Sequence, residues 1–340
     1  MARTVTLQTI ADIVGVSRST VSRVLSDQQM NHRISAGTAE SITDTAKELN
    51  YIKNEGARSL RVKKTQTIGV IVRDITNPFY SQLVKHIENA LYQEGYTVII
   101  SSTGYDLNKE RGHINLLLSR KVDGIILSPI QKSYENVLLV KEHDLPLVLF
   151  DCKIDEIESD YVVVSNESSS VKGVDHLISL GHLKIAYIGG DPGDSNNNLR
   201  FSGYKKALAN AAIPIENQYI RHGSYSYKHG YLAAKELMQL EDAPTAIFVA
   251  NNRIVLGAYK GILDSNKSIP GDISIVGFDD FETAAMLASP LTVIRQPLEE
   301  MATIAVDLLL ARIKSGNQRR YVINKLDTEF ILRGSTGSLR

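Results

Sequence analysis

The sequence predicts a small all-α domain followed by an α/β core of two doubly wound lobes. Three observations predict this fold class: helical spacing of apolar residues near the N-terminus, an alternation of short apolar runs with amphipathic stretches from residue 67, and a change of charge between the two parts. With 340 residues, 43% of them hydrophobic and 22% charged, the chain is long enough for two or three domains with sizeable cores.

The formal net charge of zero conceals an asymmetry along the chain. Residues 1–65 contain ten Lys and Arg against six Asp and Glu, whereas the other 275 residues contain 28 against 32. The first part therefore carries +4 and the second −4, and a basic head favours binding to a polyanion. A single cysteine, Cys152, excludes an internal disulfide and a thiolate metal cage. Without a membrane-length apolar run or a signal segment, we expect a cytoplasmic protein.

The first helix is predicted from Leu7 to Val14. Thr6 stands at the N-cap position, apolar residues follow at i, i+3, i+4 and i+7, and Gly15 ends the pattern. Ser17 then caps a second short helix over residues 18–25. On that helix Arg18, Ser19, Ser22 and Arg23 share one face, and Thr20, Val21, Val24 and Leu25 share the other.

A third helix is predicted from about Ser35, with Ala39, Ile42, Ala46 and Leu49 as its buried stripe. Two helices joined by a glycine-containing turn, followed by a third, form the helix-turn-helix plan. Arginine side chains can donate to guanine O6 and N7, and serine hydroxyls reach bases or phosphates. An ordinary three-helix cap with a solvated polar face is the alternative that helix geometry leaves open.

The string TLQTIADIVGVSRSTVSRVLSD, residues 6–27, closely resembles the opening of the lactose-repressor (LacI/GalR) family of bacterial regulators. The likeness continues through Asn50-Tyr51 and Ala57-Arg58-Ser59-Leu60. In that family the last stretch becomes a hinge helix on DNA, and its leucine wedges into the central minor-groove step of a palindromic operator. Residues 27–33 are longer than the usual turn, Lys53 replaces a frequent proline, and Gly56 lies inside the hinge.

The helix faces and this resemblance together predict the DNA contacts. They are Thr6, Ser17, Arg18, Ser19, Ser22, Arg23, Ser26, Arg33, Ser35, Thr38, Asn54, Ala57 and Leu60.

In the body of the chain, short apolar runs indicate buried strands and amphipathic stretches indicate helices between them. The predicted strands are 67–72, 96–101, 124–128, 147–151, 161–165, 184–189, 246–250, 273–278 and 292–296; the clearest helices are 79–94, 168–180, 200–211, 252–265 and 298–314. Because these units are too many for one sheet, we predict two lobes, which the resemblance identifies as a periplasmic-binding-protein-like core.

The predicted domains follow from these patterns and the resemblance. They are a helix-turn-helix domain (1–52), a hinge (53–65), an N-terminal lobe (66–165 plus 296–326) and a C-terminal lobe (166–295 plus 327–340).

Polar residues follow the predicted strands, at the edge of the sheets where ligands bind in open α/β folds. By similarity to the family, effector contacts fall on Phe79, Tyr80, Asp151, Asp194, Asn196, Arg200, Tyr225, Asn251, Asp279 and Gln296. Carboxylates at strand ends also cap helices, which is the structural alternative for Asp151 and Asp194. Counting three acids against the single guanidinium of Arg200, we expect a neutral sugar or polyol, because a buried unpaired anion is costly.

The resulting hypothesis is a homodimeric repressor of a carbohydrate-utilisation operon, with no cofactor or metal and no enzymatic activity. The loop Gly189-Gly190-Asp191-Pro192-Gly193 lacks the Lys-Ser/Thr of a phosphate-binding loop, and no nucleophile elbow is present. Effectors that remain open are a nucleobase, a sugar phosphate or a protein corepressor. A sugar-binding protein or a sugar-processing enzyme with the same core is the remote alternative. The resemblance favours induction, because polyol-type pockets accompany catabolic operons in the family.

Overall fold

The computed structural model describes residues 5–25, 34–51, 64–315 and 319–339. The chain divides into two units, Met1–Thr65 and Gln66–Arg340. Among the described helices, none combines the length and the hydropathy that crossing a bilayer requires.

The first unit contains the three predicted helices, α1 (Leu7–Val14), α2 (Arg18–Val24) and α3 (Ala36–Glu48). The side chain of Thr6 accepts a hydrogen bond from the backbone N–H of Thr9, and the side chain of Thr9 accepts one from the backbone N–H of Thr6, so α1 begins with a capping box. Gly15 ends α1 in the left-handed region, at φ +74°, where a side chain would be strained. The helices enclose a small core formed by Ile10, Ala11, Val21, Val24, Ile42 and Ala46.

The first sheet of the second unit has the order β11-β5-β4-β3-β1-β2, and all its pairings are parallel. Its strands are β1 (Thr67–Val72), β2 (Thr97–Ser102), β3 (Gly124–Leu127), β4 (Leu147–Phe150), β5 (Asp160–Val164) and β11 (Ile323–Leu326). The strand β11 was not predicted from the sequence. It lies at the sheet edge and is half exposed, so its residues lack the continuous apolar run of a buried strand.

The second sheet repeats this arrangement in the order β12-β10-β9-β8-β6-β7. Its strands are β6 (Ile185–Gly189), β7 (Ile220–His222), β8 (Ala246–Val249), β9 (Ser274–Phe278), β10 (Thr292–Arg295) and β12 (Glu329–Ile331). Only β12 runs antiparallel to its neighbour. Both edge strands, β7 and β12, are three residues long and were not predicted, for the same reason as β11.

Helices cover both faces of each sheet, as expected for doubly wound lobes. They are α4 (Pro78–Gln93), α5 (Leu107–Ser119), α6 (Glu135–Glu142), α7 (Asn166–Ser179), α8 (Ser195–Asn210), α9 (Tyr227–Met238), α10 (Asn252–Leu263) and α11 (Leu298–Ser315). The predicted start of α8 at residue 200 was wrong, because Asp194 accepts the backbone N–H of Asn197 and begins the helix at Ser195.

The chain passes between the two lobes three times. It leaves the first sheet after β5, returns after β10 through α11, which packs on α4 and the first sheet, and crosses again between β11 and β12. Each lobe therefore contains segments from distant parts of the sequence. The carboxyl ends of the parallel strands of both sheets border the cleft between them, which positions the site described next.

Candidate functional site

The outward face of α2 carries two of the basic groups of the first unit. Arg18, Ser19 and Arg23 are exposed, whereas Val21 and Val24 are buried in the core of the three helices. This is the predicted division of the helix into a polar and an apolar face. Two guanidinium groups on one helix face can donate to base edges and phosphates in a DNA groove.

Hydroxyl groups at the helix starts already have structural partners. The Oγ of Ser17 accepts the backbone N–H of Thr20 at 3.1 Å, and the Oγ of Ser35 accepts that of Thr38 at 3.2 Å. A hydroxyl retains its own proton as a donor, so a capping serine can also bind a phosphate oxygen. Five predicted DNA contacts lie outside the described residues: Ser26, Arg33, Asn54, Ala57 and Leu60.

A polar pocket lies in the cleft of the second unit, among residues that follow the strands of both sheets. It encloses about 20 Å³, the space of a single water molecule. All ten predicted effector contacts line it: Phe79, Tyr80, Asp151, Asp194, Asn196, Arg200, Tyr225, Asn251, Asp279 and Gln296. Three lining residues were not among the predicted effector contacts, namely Arg73, Asn77 and Tyr105.

Arg73 is the first residue after β1 and joins the two lobes through its guanidinium group. Its Nη1 donates to the Asp194 carboxylate in the second lobe, and its Nη2 lies 3.3 Å from Asp151 Oδ2 in its own lobe. All three side chains are nearly inaccessible to solvent. The sequence-based count of one guanidinium in the pocket is therefore wrong: the pocket contains Arg73 and Arg200 against three carboxylates.

The two carboxylates that contact Arg73 also accept hydrogen bonds from several other protein donors. Asp151 Oδ2 accepts the hydroxyls of Tyr80 at 2.8 Å and Ser128 at 3.3 Å, and its Oδ1 accepts Asn196 Nδ2 at 2.9 Å. Asp194 accepts the hydroxyl of Tyr225 at 2.9 Å in addition to its capping bond. Both acids thus have a structural role in this arrangement as well as a place in the pocket lining.

Opposite electrostatic effects act on Asp194 and Asp279. Burial opposes ionisation of Asp194, but Arg73 and the groups donating to the carboxylate outweigh it and lower its pKa below the ordinary value. Burial raises the pKa of Asp279, an effect that Arg200 only partly offsets. Asp279 accepts Gln296 Nε2 at 2.6 Å and Asn251 Nδ2 at 3.3 Å.

Arg200 is held rigidly on α8 by neutral groups. Its Nε donates to Asn166 Oδ1 at 2.7 Å, its Nη1 donates to the carbonyl of Ala250 at 2.6 Å, and its guanidinium carbon lies 3.6 Å from the centre of the Phe278 ring. Stacking on a ring and two hydrogen bonds fix the plane of the guanidinium. Arg200 therefore presents a positive charge to the pocket in one orientation.

Aromatic side chains form the apolar part of the lining. Tyr105 and Tyr225, from the first and second lobe, stack with ring centres 6.1 Å apart, and Phe79 packs edge-on against Tyr80 at 4.9 Å. Burial raises the pKa of Tyr225 well above its ordinary value, so the hydroxyl remains a donor to Asp194. Flat faces beside hydrogen-bonding groups suit a sugar ring.

Additional contacts hold the lobes together around the pocket. Asn252 Nδ2 donates to Asn77 Oδ1 at 2.7 Å, and Gln131 exchanges two hydrogen bonds with Ser195. An ion pair between Arg253 and Asp74 adds to them at the rim. Because the enclosed space holds no more than one water, entry of a sugar-sized molecule requires these contacts to open.

A larger groove of about 860 Å³ adjoins this pocket and shares Phe79, Asp279 and Gln296 with it. The beginning of α11 and the segment after β9 form its walls, and Arg333 makes a bidentate ion pair with Asp280 there. In the described parts of the chain, no cluster of three His, Cys, Asp or Glu side chains is placed to hold a metal ion.

Two protein-family models match this chain, one in each unit. The family model for bacterial regulatory proteins of the lacI family matches residues 6–54, and the model for periplasmic binding proteins and the sugar-binding domain of the LacI family matches residues 65–331. The chain belongs to the LacI family. It is therefore a DNA-binding transcriptional regulator with an effector-binding domain.

Related LacI-family proteins match over nearly the whole chain. The HTH-type transcriptional repressor PurR of Vibrio atlanticus is 31% identical, covering 98% of this chain and 99% of its own length. The ribose operon repressor of Haemophilus influenzae is 33% identical with the same coverage. A crystal structure of the lac repressor dimer bound to operator and the anti-inducer ONPF is 29% identical, has a TM-score of 0.85 and covers 98% of this chain and 100% of that one.

Membership of the LacI family confirms the predicted fold class and the predicted class of function. The residues missed in the pocket have identifiable signals. Arg73 directly follows the first predicted strand, and Tyr105 lies in the turn after the second, at φ +63°. The expectation that residues after strands line the pocket includes both, if it is extended to the first residue after each strand and to the second strand. Asn77 caps α4 and bonds to the opposite lobe, which no local pattern indicates.

Proposed function

We propose that this LacI-family protein represses a carbohydrate-utilisation operon and that a small neutral sugar or polyol switches its affinity for operator DNA. The pocket between the lobes carries this proposal. Its amides, carboxylates and guanidinium groups suit hydroxyl groups, and its aromatic rings suit the apolar face of a sugar. Counting Arg73, the pocket still has one carboxylate more than guanidinium groups, which favours a neutral ligand over an anion.

The operator is read as a palindrome by a homodimer. A two-fold dimer places one α2 in each half-site, with Arg18, Arg23 and Ser19 facing the major groove and Leu60 of each hinge at the central step. The lac repressor in its operator complex is a dimer, which supports this assembly. Tyr92 on α4 and Ile100 on the edge strand β2 are exposed apolar side chains, 70% and 46% accessible, that such an interface would cover.

Effector binding changes how the lobes lie against one another. Both lobes contribute to the pocket, so a ligand stabilises whichever arrangement of the lobes makes the better contacts with it. The lobe that follows the hinge then sets the spacing of the paired hinge segments in the dimer. We propose that the sugar acts as an inducer and favours the arrangement that releases the operator.

The protein acts without catalysis, cofactor or metal, in the cytoplasm where the operator is located. The relatives named above are repressors, which supports this part of the proposal. Cys152 supports it as well: burial raises the pKa of its thiol far above the ordinary value, so the thiol is a poor nucleophile.

A thermal-shift screen tests the effector class. The panel contains pentoses, hexoses, disaccharides, sugar acids, sugar phosphates and nucleobases; a ligand at a hundred times its Kd stabilises the core by about 2.7 kcal/mol, or several degrees. We expect a neutral sugar to raise the Tm and to release an operator duplex selected from a random pool. A response to a nucleobase or sugar phosphate alone contradicts the proposed effector, and failure to select a palindromic duplex contradicts the proposed dimeric recognition.

A further inference from the structure

Arg73 has unused hydrogen-bonding capacity on one edge of its guanidinium group. Its Nη1 is bonded to Asp194, whereas Nε and Nη2 are buried and make no hydrogen bond of ordinary geometry among the described residues, where the guanidinium also lies close to the Cys152 thiol. Nη2 lies 3.3 Å from Asp151 Oδ2 and forms an ion pair with it, but the two groups are not oriented for a hydrogen bond. The side chain of Arg73 is 4% exposed, so bulk solvent does not compensate these donors.

The two atoms that make no hydrogen bond form a single recognition edge. The N–H bonds of Nε and Nη2 point in parallel from the same side of the planar guanidinium, an arrangement that binds two neighbouring oxygen atoms at once. Buried charged donors that make no hydrogen bond are costly, even where an ion pair with Asp151 balances part of the charge, and the residue lines the effector pocket. The edge is therefore suited to receive a pair of oxygen atoms from a ligand.

The other lining groups decide what kind of oxygen pair fits. Asp151 and Asp194 already accept several protein donors, whereas Gln296 Oε1 is a buried acceptor without a partner in the described chain. A ligand that accepts from Arg73 and donates to Gln296 satisfies both groups. Hydroxyl groups do both, but an ionised carboxylate only accepts and would add a second uncompensated negative charge to the pocket.

We propose that Arg73 anchors the effector by donating from Nε and Nη2 to two adjacent hydroxyl oxygens of a neutral sugar. This inference rests on the proposed function and deepens it, since it names the group that recognises a vicinal diol. Because Nη1 of the same guanidinium bonds Asp194 in the other lobe, the diol orients a group that already joins the two lobes.

The test compares sugars with and without the diol on three forms of the protein. Titration calorimetry measures the Kd of D-ribose, D-glucose and D-galactose, their monodeoxy derivatives, D-gluconate and D-galacturonate. The proteins are the wild type, Arg73→Lys and Arg312→Lys. Lysine keeps the positive charge beside Asp194 but has no planar pair of donors. Arg312 is the matched control, because it is also a buried arginine, paired with Asp160, and lies outside the pocket.

In the wild type we expect a monodeoxy derivative to bind about tenfold or more weakly than its parent sugar. In Arg73→Lys we expect the parent sugar to bind more weakly by a similar factor, so that the Kd values of the monodeoxy derivative and the parent differ by no more than about threefold. Arg312→Lys should lower the Tm but keep the wild-type ratio of these two Kd values. An unchanged ratio in Arg73→Lys overturns the inference and leaves the sugar effector standing. Tighter binding of gluconate or galacturonate than of any neutral sugar overturns the diol assignment. Absence of binding by any sugar to the wild type rejects the proposed effector together with this inference.

Discussion

Asp151 and Asp279 occupy equivalent positions in the two lobes of the core. Each follows the third strand from the same end of its sheet, β4 or β9, and each has a left-handed backbone, with φ of +72° and +74°. The backbone N–H of each donates to the neighbouring strand, to Val162 and Ile294 respectively. The sharp turn at the strand end directs both carboxylates into the pocket.

Their surroundings nevertheless differ. Asp151 is held by Arg73, Tyr80, Ser128 and Asn196, while Asp279 is held only by amide groups and has a raised pKa caused mainly by burial. The fold therefore depends more on Asp151 than on Asp279. A substitution of Asp279 is the better way to separate ligand binding from folding.

Replacing Asp279 by alanine should abolish the effector response and leave operator binding intact. The change removes an acceptor from the pocket but breaks no ion pair in the core. Thermal shift with the responding sugar and fluorescence anisotropy with operator DNA measure the two properties. Asp280→Asn is the neighbouring control, since Asp280 pairs with Arg333 and does not line the enclosed pocket. Loss of operator binding in Asp279→Ala alone would show a structural role instead.

Replacing Arg18 by alanine should relax specificity at one base position by about 1–3 kcal/mol, if its guanidinium reads guanine. The side chain is exposed on α2, so folding of the three-helix unit should be unaffected. Binding to a set of operators with single base changes measures the effect. Lys47→Ala, at an exposed position of α3, is the control that should retain full specificity. A uniform loss over all sequences would identify Arg18 as a phosphate contact.

Replacing Leu60 by alanine should weaken operator binding without changing effector affinity. The family resemblance assigns this residue to the minor-groove wedge, and a methyl side chain cannot hold the base step apart. Calorimetric Kd values for the sugar and anisotropy with the operator test both parts. Operator affinity equal to that of the wild type would reject the wedge.

The free energy of unfolding of the core should fall as the solution is acidified below neutral pH. Burial lowers the pKa of four histidines below the ordinary value of 6.5: His176, His182, His222 and His229. The unfolded chain therefore takes up protons at a higher pH than the folded chain, so stability decreases as the pH falls through this range.

His182 provides the specific check. It bonds Thr245, Ser274 and the carbonyl of Gly337, and thereby ties the C-terminal segment to the second lobe. In Tm measurements between about pH 5.5 and 7.5, His182→Gln should show a shallower dependence on pH than the wild type. A wild-type Tm that does not change over this range contradicts the prediction.

The sequence by itself determined the order of helices and buried strands and the place of the pocket. Apolar periodicity identifies buried elements, because core positions must be apolar wherever they lie in the chain, and polar residues just after strands identify the edge where ligands bind. Short edge strands such as β7 and β12 were not predicted, since half-exposed residues do not form a strong apolar pattern.

Only the tertiary structure decided which of the pocket groups are already engaged. Arg73 and Asp194 are 121 residues apart and form an ion pair across the two lobes. No local pattern reports that pairing, because it depends on how two separately formed sheets face each other. Arg73 adds a positive charge to the pocket, contacts two of its three carboxylates, and keeps Nε and Nη2 without a hydrogen bond.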